Sequence, residues 1–128
     1  MELDKDFVRL IDAASNILNP RELSECSSCG YVSSAIMMES GNIYVGINID
    51  TPCSMGHCAE VSAISSALTH SESRIIKMVT LSHMGRIMPP CGRCREFIYQ
   101  VDKRNLKTQV LLENGPVELE KLLPELWN

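Results

Sequence analysis

Three cysteines and one carboxylate stand at a spacing that suits metal chemistry. Cys58-Ala59-Glu60 is followed, about thirty residues on, by Pro90-Cys91-Gly92-Arg93-Cys94. Zinc(II) takes four ligands, and a catalytic centre draws three from the protein and leaves the fourth to water. Cys58, Cys91 and Cys94 supply those three. Glu60 is too near Cys58 in sequence to be a convenient second ligand, but it is placed to carry a proton beside the water. The chemistry this implies is metal-assisted hydrolysis.

Other readings stand beside that one. The three cysteines are also compatible with buried structural thiols. Cys26-Ser27-Ser28-Cys29 is a second C-x-x-C, and with Cys91 and Cys94 it would complete a closed four-cysteine site. More than sixty residues separate the two pairs, and such a site leaves Cys58-Ala59-Glu60 without a role. Otherwise Cys26 and Cys29 are free thiols near a substrate mouth, or weakly paired. His57, next to Cys58, competes as a ligand, whereas Cys53 reads as inert and His70 and His83 as surface.

The elements around these residues have to hold them together. Cys58 and Cys91 each open a helical pattern, the second after a double proline. Side chains in a first turn lean toward the helix N-terminus, so a metal beyond both tips is within reach. Positive helix ends also favour thiolates. Leu3, Phe7, Leu10, Ile11, Ala14, Ile17 and Leu18 predict a first helix that ends at Asn19-Pro20. Residues 20–30 read as polar and turn-like. Val32 to Met38 reads as a buried strand with Met37 and Met38 in the core, and Ser40-Gly41-Asn42 as a hairpin turn.

Ile43, Val45, Ile47 and Ile49 alternate with Tyr44, Gly46, Asn48 and Asp50 along the next strand. A helix over 58–69, a strand over 75–81, a loop over 83–90, a helix over 91–101 and a strand over 108–112 follow. A strand edge at Val117 and a helix stopped by Pro124 complete the order. The alternation predicts right-handed crossovers in the second half. The expected fold is a three-layer α/β/α domain over residues 1–128, with a mixed sheet of about five strands.

Composition narrows the function classes. Net charge is −4, from 12 basic and 16 acidic residues, and six aromatics are scattered without a series. A nucleic-acid groove needs a basic footprint, so a small uncharged or cationic substrate fits better than a polymer. No apolar run approaches a membrane span, and the acidic N-terminus is unlike a signal peptide. A cytoplasmic protein is expected, in which six cysteines serve as metal ligands or free thiols.

The pairing of Cys-Ala-Glu with Pro-Cys-x-x-Cys resembles the zinc-dependent nucleoside deaminases, with Arg95-Glu96 also fitting the pattern. The resemblance covers roughly residues 30 to 127 and implies zinc held by Cys58, Cys91 and Cys94. It implies that Glu60 takes a proton from water and returns it to the ring nitrogen and the departing amine. The ligand there is the residue directly before Ala-Glu, which favours Cys58 over His57.

Three thiolates over-neutralise zinc. In tetrameric cytidine deaminases an arginine directly after the glutamate offsets them, and Val61 stands there in this chain. Arg93 or Arg95 is therefore expected to bond a ligand sulfur.

Asn48 and Asp50 are similar to the Asn-x-Glu that holds the ribose, although Asn48 also reads as a cap on strand backbone and Asp50 as a turn former. Ala59 and Trp127 join them as implied substrate contacts; Trp127 is equally readable as a subunit contact. The family's pyrimidine-packing aromatic aligns with Gly30. Val32-Ser33-Ser34-Ala35-Ile36, Cys91-Gly92-Arg93-Cys94-Arg95 and Leu122-Leu123-Pro124 are closer to blasticidin-S deaminase. The implied partners are a small nucleoside and further copies of the chain, as a homotetramer. A deaminase fold kept for binding or assembly, without turnover, is the non-enzymatic alternative, and an intact Glu60 argues against it.

Overall fold

The computed structural model describes residues 2–128. Helix α1 (Lys5–Ile17) starts where Asp4, in extended conformation, accepts a hydrogen bond from the Phe7 N–H at 2.9 Å; a carboxylate at this position satisfies one of the orphan donors of the first turn. Lys77 Nζ reaches Asp4 and Asp6 at 3.1 and 2.8 Å, which pins that turn to the sheet.

The sheet has six strands, one more than expected. They are β1 (Arg21–Ser24), β2 (Ser27–Met38), β3 (Ile43–Asp50), β4 (Ile75–Ser82), β5 (Gln109–Leu112) and β6 (Gly115–Glu118). The additional strand, β1, lies in the segment that reads as turn-like. All four of its residues are exposed, so it carries no apolar alternation from which a strand could be read.

β2 is the long central strand. It pairs antiparallel with β3 on one side, and with β4 and β1 on the other, since Cys29 pairs with both Arg21 and Ile49. β4 and β5 are parallel, as the alternation predicts, and β6 returns antiparallel. The sheet is mixed.

Between Cys29 and Ser33 the register of β2 against β3 slips. Gly30 sits in this bulge at φ +82°, where a Cβ would come within 2.2 Å of the Asn19 carbonyl oxygen. A positive φ and so close a backbone approach both call for glycine.

Side chains of a strand alternate between faces, and β2 divides its apolar residues accordingly. Ala35 and Met37 pack with Phe7, Leu10 and Ala14 of α1 and with Val79, Leu81 and Leu111. Ile36 and Met38 pack on the other face with Ala63, Ile64 and Ala67 of helix α2 (Ala59–Thr69) and Ile98 and Tyr99 of helix α3 (Gly92–Val101). A short helix α4 (Leu119–Leu122) buries Leu119 in the same cluster. Two helical layers therefore enclose the sheet.

The α2–β3 contact is unusually close. Ala59, Ala63 and Ala67 are fully buried, and a Cβ on Gly46 of β3 would lie 2.3 Å from the Ala63 nitrogen. Small residues on both sides let the start of α2 rest directly against the strand.

Candidate active site

Two helices deliver the cysteines from their tips. Cys58 is the N-cap of α2 and Cys91 the N-cap of α3, both in extended conformation. Cys94 is the third residue of α3, and in a first turn N-cap and third-residue side chains meet ahead of the helix. The sulfurs of Cys58, Cys91 and Cys94 all lie within 4.8 Å of one another, with Cys58 and Cys91 3.7 Å apart. Among the described residues no other His, Cys, Asp or Glu joins this cluster. Cys26 and Cys29 are free thiols elsewhere, the first exposed and the second buried. The four-cysteine alternative is thereby removed.

His57 is held away from the metal position. Its Nδ1 lies 3.3 Å from the Cys58 carbonyl oxygen and 3.3 Å from Ser62 Oγ. Ser62 Oγ in turn donates to the Ile47 carbonyl at 2.7 Å, which ties the ring to β3 and the start of α2.

The donor set suits a soft cation. Burial, with the charges of Glu60 and Cys58, pushes the Cys94 thiol far above its ordinary range. Burial likewise raises Cys58. Burial acts in the same upward sense on Cys91, but the Cys94 N–H and the neighbouring thiols outweigh it and hold Cys91 down. Three thiols this close become thiolates together only when a cation compensates them, and zinc with three sulfur ligands fits.

Glu60, on the first turn of α2, is only 4% exposed. Burial pushes its carboxyl up, against smaller opposing contributions from its own N–H, Thr80 and Cys94. It opens with Cys58 and Cys91 onto a cavity of about 550 Å³. Asn48, Asp50 and Ala59 line the same cavity, as do Tyr31, Thr51, His57, Thr80 and Met88. No Lys or Arg is among its lining residues.

Asn48 does two things. Its Oδ1 accepts from the Val32 N–H at 2.8 Å, capping the bulged stretch of β2, and its Nδ2 donates to Asp50 Oδ2 at 3.2 Å. Thr51 Oγ1 is buried with no hydrogen-bond partner among the described residues.

Comparison with known proteins agrees with this geometry. Residues 9–109 match the family described as the cytidine and deoxycytidylate deaminase zinc-binding region. The chain belongs to this family. The cytidine deaminase of Halalkalibacterium halodurans is 25% identical over 97 residues, covering 73% of this chain and 74% of the relative. That of Sporosarcina psychrophila is 29% identical over 97 residues, 73% and 71% of the two chains. The crystal structure of cytidine deaminase from Mycobacterium tuberculosis superposes with a TM-score of 0.82 at 20% identity, covering 98% of this chain and 99% of that one. The fold is that of the family, and zinc is the metal its Cys58, Cys91 and Cys94 are suited to hold.

For a member of this family the arginines are placed differently from expectation. Among the described residues neither guanidinium is hydrogen bonded to a sulfur. Arg95 donates from Nε to the Pro90 carbonyl at 2.8 Å and from Nη1 to the Leu122 carbonyl at 3.3 Å, while Arg93 is exposed. Backbone acceptors at hand satisfy Arg95 before it reaches the sulfurs. Trp127 is 83% exposed and is not among the cavity's lining residues. Conversely, Tyr31 adjoins the glycine that occupies the family's aromatic position. Its ring lines the cavity and meets His83 edge-on at 5.1 Å between centroids.

Proposed function

We propose that this chain is a zinc-dependent hydrolytic deaminase of free cytosine nucleosides, cytidine or deoxycytidine, releasing ammonia and the uracil nucleoside. The observation that carries the reading is the cluster of three sulfurs, two of which (Cys58 and Cys91) line a cavity that the buried Glu60 also lines. Bound zinc supplies the Lewis acidity that makes water a competent nucleophile at neutral pH. Glu60 accepts a proton from that water and delivers it to the ring nitrogen; it then carries the second proton, from the added hydroxyl, to the amine, which leaves as ammonia as the C–N bond breaks. Its raised pKa suits a group that must both take and give a proton.

The absence of cations from the lining favours nucleosides over nucleotides. A phosphate would meet the exposed Asp50 with no lysine or arginine to neutralise it. Asp50, held by Asn48, is the acceptor for sugar hydroxyls, the unpartnered Thr51 hydroxyl is a further contact, and Tyr31 supplies the aromatic surface for the base. A modified cytosine nucleoside with a cationic substituent, of the blasticidin-S kind, is the second reading. The exposed Asp50, on a cavity lined by no lysine or arginine, favours it. Assembly as a cytoplasmic homotetramer, in which Trp127 reaches a neighbouring copy, rests on the resemblance.

Ammonia release from cytidine, deoxycytidine, deoxycytidine monophosphate and blasticidin S tests the reading. Glu60→Ala should lower turnover by about 10²–10⁴-fold while zinc stays bound. Turnover of the monophosphate above the nucleosides, or full activity without Glu60, would contradict it.

A further inference from the structure

The three sulfur donors are not equally supported by packing. Cys94 is completely buried and Cys58 half-buried, whereas Cys91 is exposed at the cavity mouth. Packing therefore does little to orient the Cys91 side chain; the Cys94 N–H and the Cys58 sulfur 3.7 Å away meet its sulfur, and the direction of its Cβ is set by its backbone.

That backbone is held on both sides by residue 95, by its main chain, as in any helix, and by its guanidinium, which only an arginine supplies. The Arg95 Nε donates to the Pro90 carbonyl at 2.8 Å, and the Arg95 backbone N–H donates to the Cys91 carbonyl at 3.0 Å. These carbonyls belong to the two peptide planes that flank the Cys91 Cα. Fixing both planes fixes φ and ψ at Cys91, and with them the direction of its Cβ. The same guanidinium continues to the Leu122 carbonyl at the end of α4. Beyond α4 the chain returns to α3, where Tyr99 Oη donates to the Asn128 carbonyl at 2.7 Å and Gln100 Nε2 bonds Asn128 Oδ1 at 2.8 Å.

We propose that Arg95 is a positioning residue for the metal centre: its forked guanidinium, by bridging Pro90 and Leu122, holds Cys91 in ligating orientation and ties the C-terminal segment to the zinc site. The inference rests on the zinc reading above. It differs from direct neutralisation of thiolates, because the guanidinium acts on backbone oxygens and not on sulfur. A planar fork can hold two carbonyls in fixed geometry, which a lysine ammonium on a flexible stem does not reproduce. Partners that orient metal ligands are typically worth 10–100-fold in affinity.

The test is the rate of zinc transfer from the loaded protein to a chromogenic chelator, for wild type, Arg95→Lys and Arg95→Ala. Both variants should lose zinc about tenfold faster or more. Arg95→Lys retains the apolar stem and the charge, and carries the comparison should Arg95→Ala not fold. Wild-type release from Arg95→Lys would mean that charge alone matters and would overturn the proposal. Unfolding of the zinc-free proteins provides the second readout. A merely structural arginine would destabilise the apo and zinc-loaded forms equally, whereas a positioning role costs the loaded form more. Wild-type protein that takes up no zinc would instead sink the metal reading itself, which keeps the two failures apart.

Discussion

At the residue scale, Asn48 shows how a side chain identified as a substrate contact can also be a structural one. One end closes the β2 bulge and the other steadies Asp50. Asn48→Ala leaves the Val32 N–H without its partner, at a cost of about 1–3 kcal/mol for a buried donor. Urea denaturation should show that loss, and steady-state kinetics should show a raised KM from a loosened Asp50; unchanged stability would remove the capping role. Cys58, Glu60, Cys91 and Cys94 were legible because ligand chemistry is written over a few adjacent residues. Tyr31, Thr51, Thr80 and Met88 were not, because strand register and loop closure bring them to the cavity. Arg95 was visible as a residue but not as a clamp, since nothing local in sequence says which carbonyls a guanidinium will find.

At the element scale, the close approach of α2 to β3 sets the distance between the Cys58–Glu60 tip and the Asn48–Asp50 strand end. Gly46→Ala would push a methyl group into the Ala63 nitrogen at 2.3 Å and the Ser62 Cβ at 2.4 Å. Backbone cannot yield cheaply, so a loss of about 1–3 kcal/mol or more is expected, together with weaker substrate binding as the helix shifts. A melting temperature and KM equal to wild type would show that the contact does not set the site.

The element boundaries came largely from apolar periodicity. α1, α2 and α3 each bury one patterned face, and β3 alternates aliphatic with other residues, so all four are readable; β1 buries nothing and is not. Downstream of α3, Asp102 caps the 3₁₀ turn Lys103–Lys107. The Arg104 guanidinium, followed by Ser73, holds its carboxyl down at about 2, against an ordinary 3.8. Because the folded value is depressed, this stabilisation is full above about pH 4 and is lost as pH falls toward 2. Arg104 is largely in water, so screening limits the benefit to about 1 kcal/mol. Asp102→Asn should lose that amount at neutral pH and flatten the acid limb between pH 4 and 2; an unchanged limb would refute it.

At the scale of the whole molecule, one sheet gathers every proposed participant at one end of its central strands. The cysteines arrive on helix tips from one layer, the polar contacts on β3 and the loop after it, and Tyr31 from the β2 bulge. The acidic balance of the sequence is repeated in the cavity, which has no cationic lining residue. A three-layer architecture was legible because helices alternate with strands. The site's full wall was not, since it is assembled from five separate stretches of chain.

The central claim is a metal held by three sulfurs with its fourth position open to water. Zinc K-edge X-ray absorption of the purified, stoichiometrically loaded protein measures this directly. Three sulfur scatterers at about 2.3 Å and one light oxygen scatterer at about 2.0 Å are expected. A fourth sulfur, an imidazole signature in the fourth position, or protein that binds no zinc would contradict it.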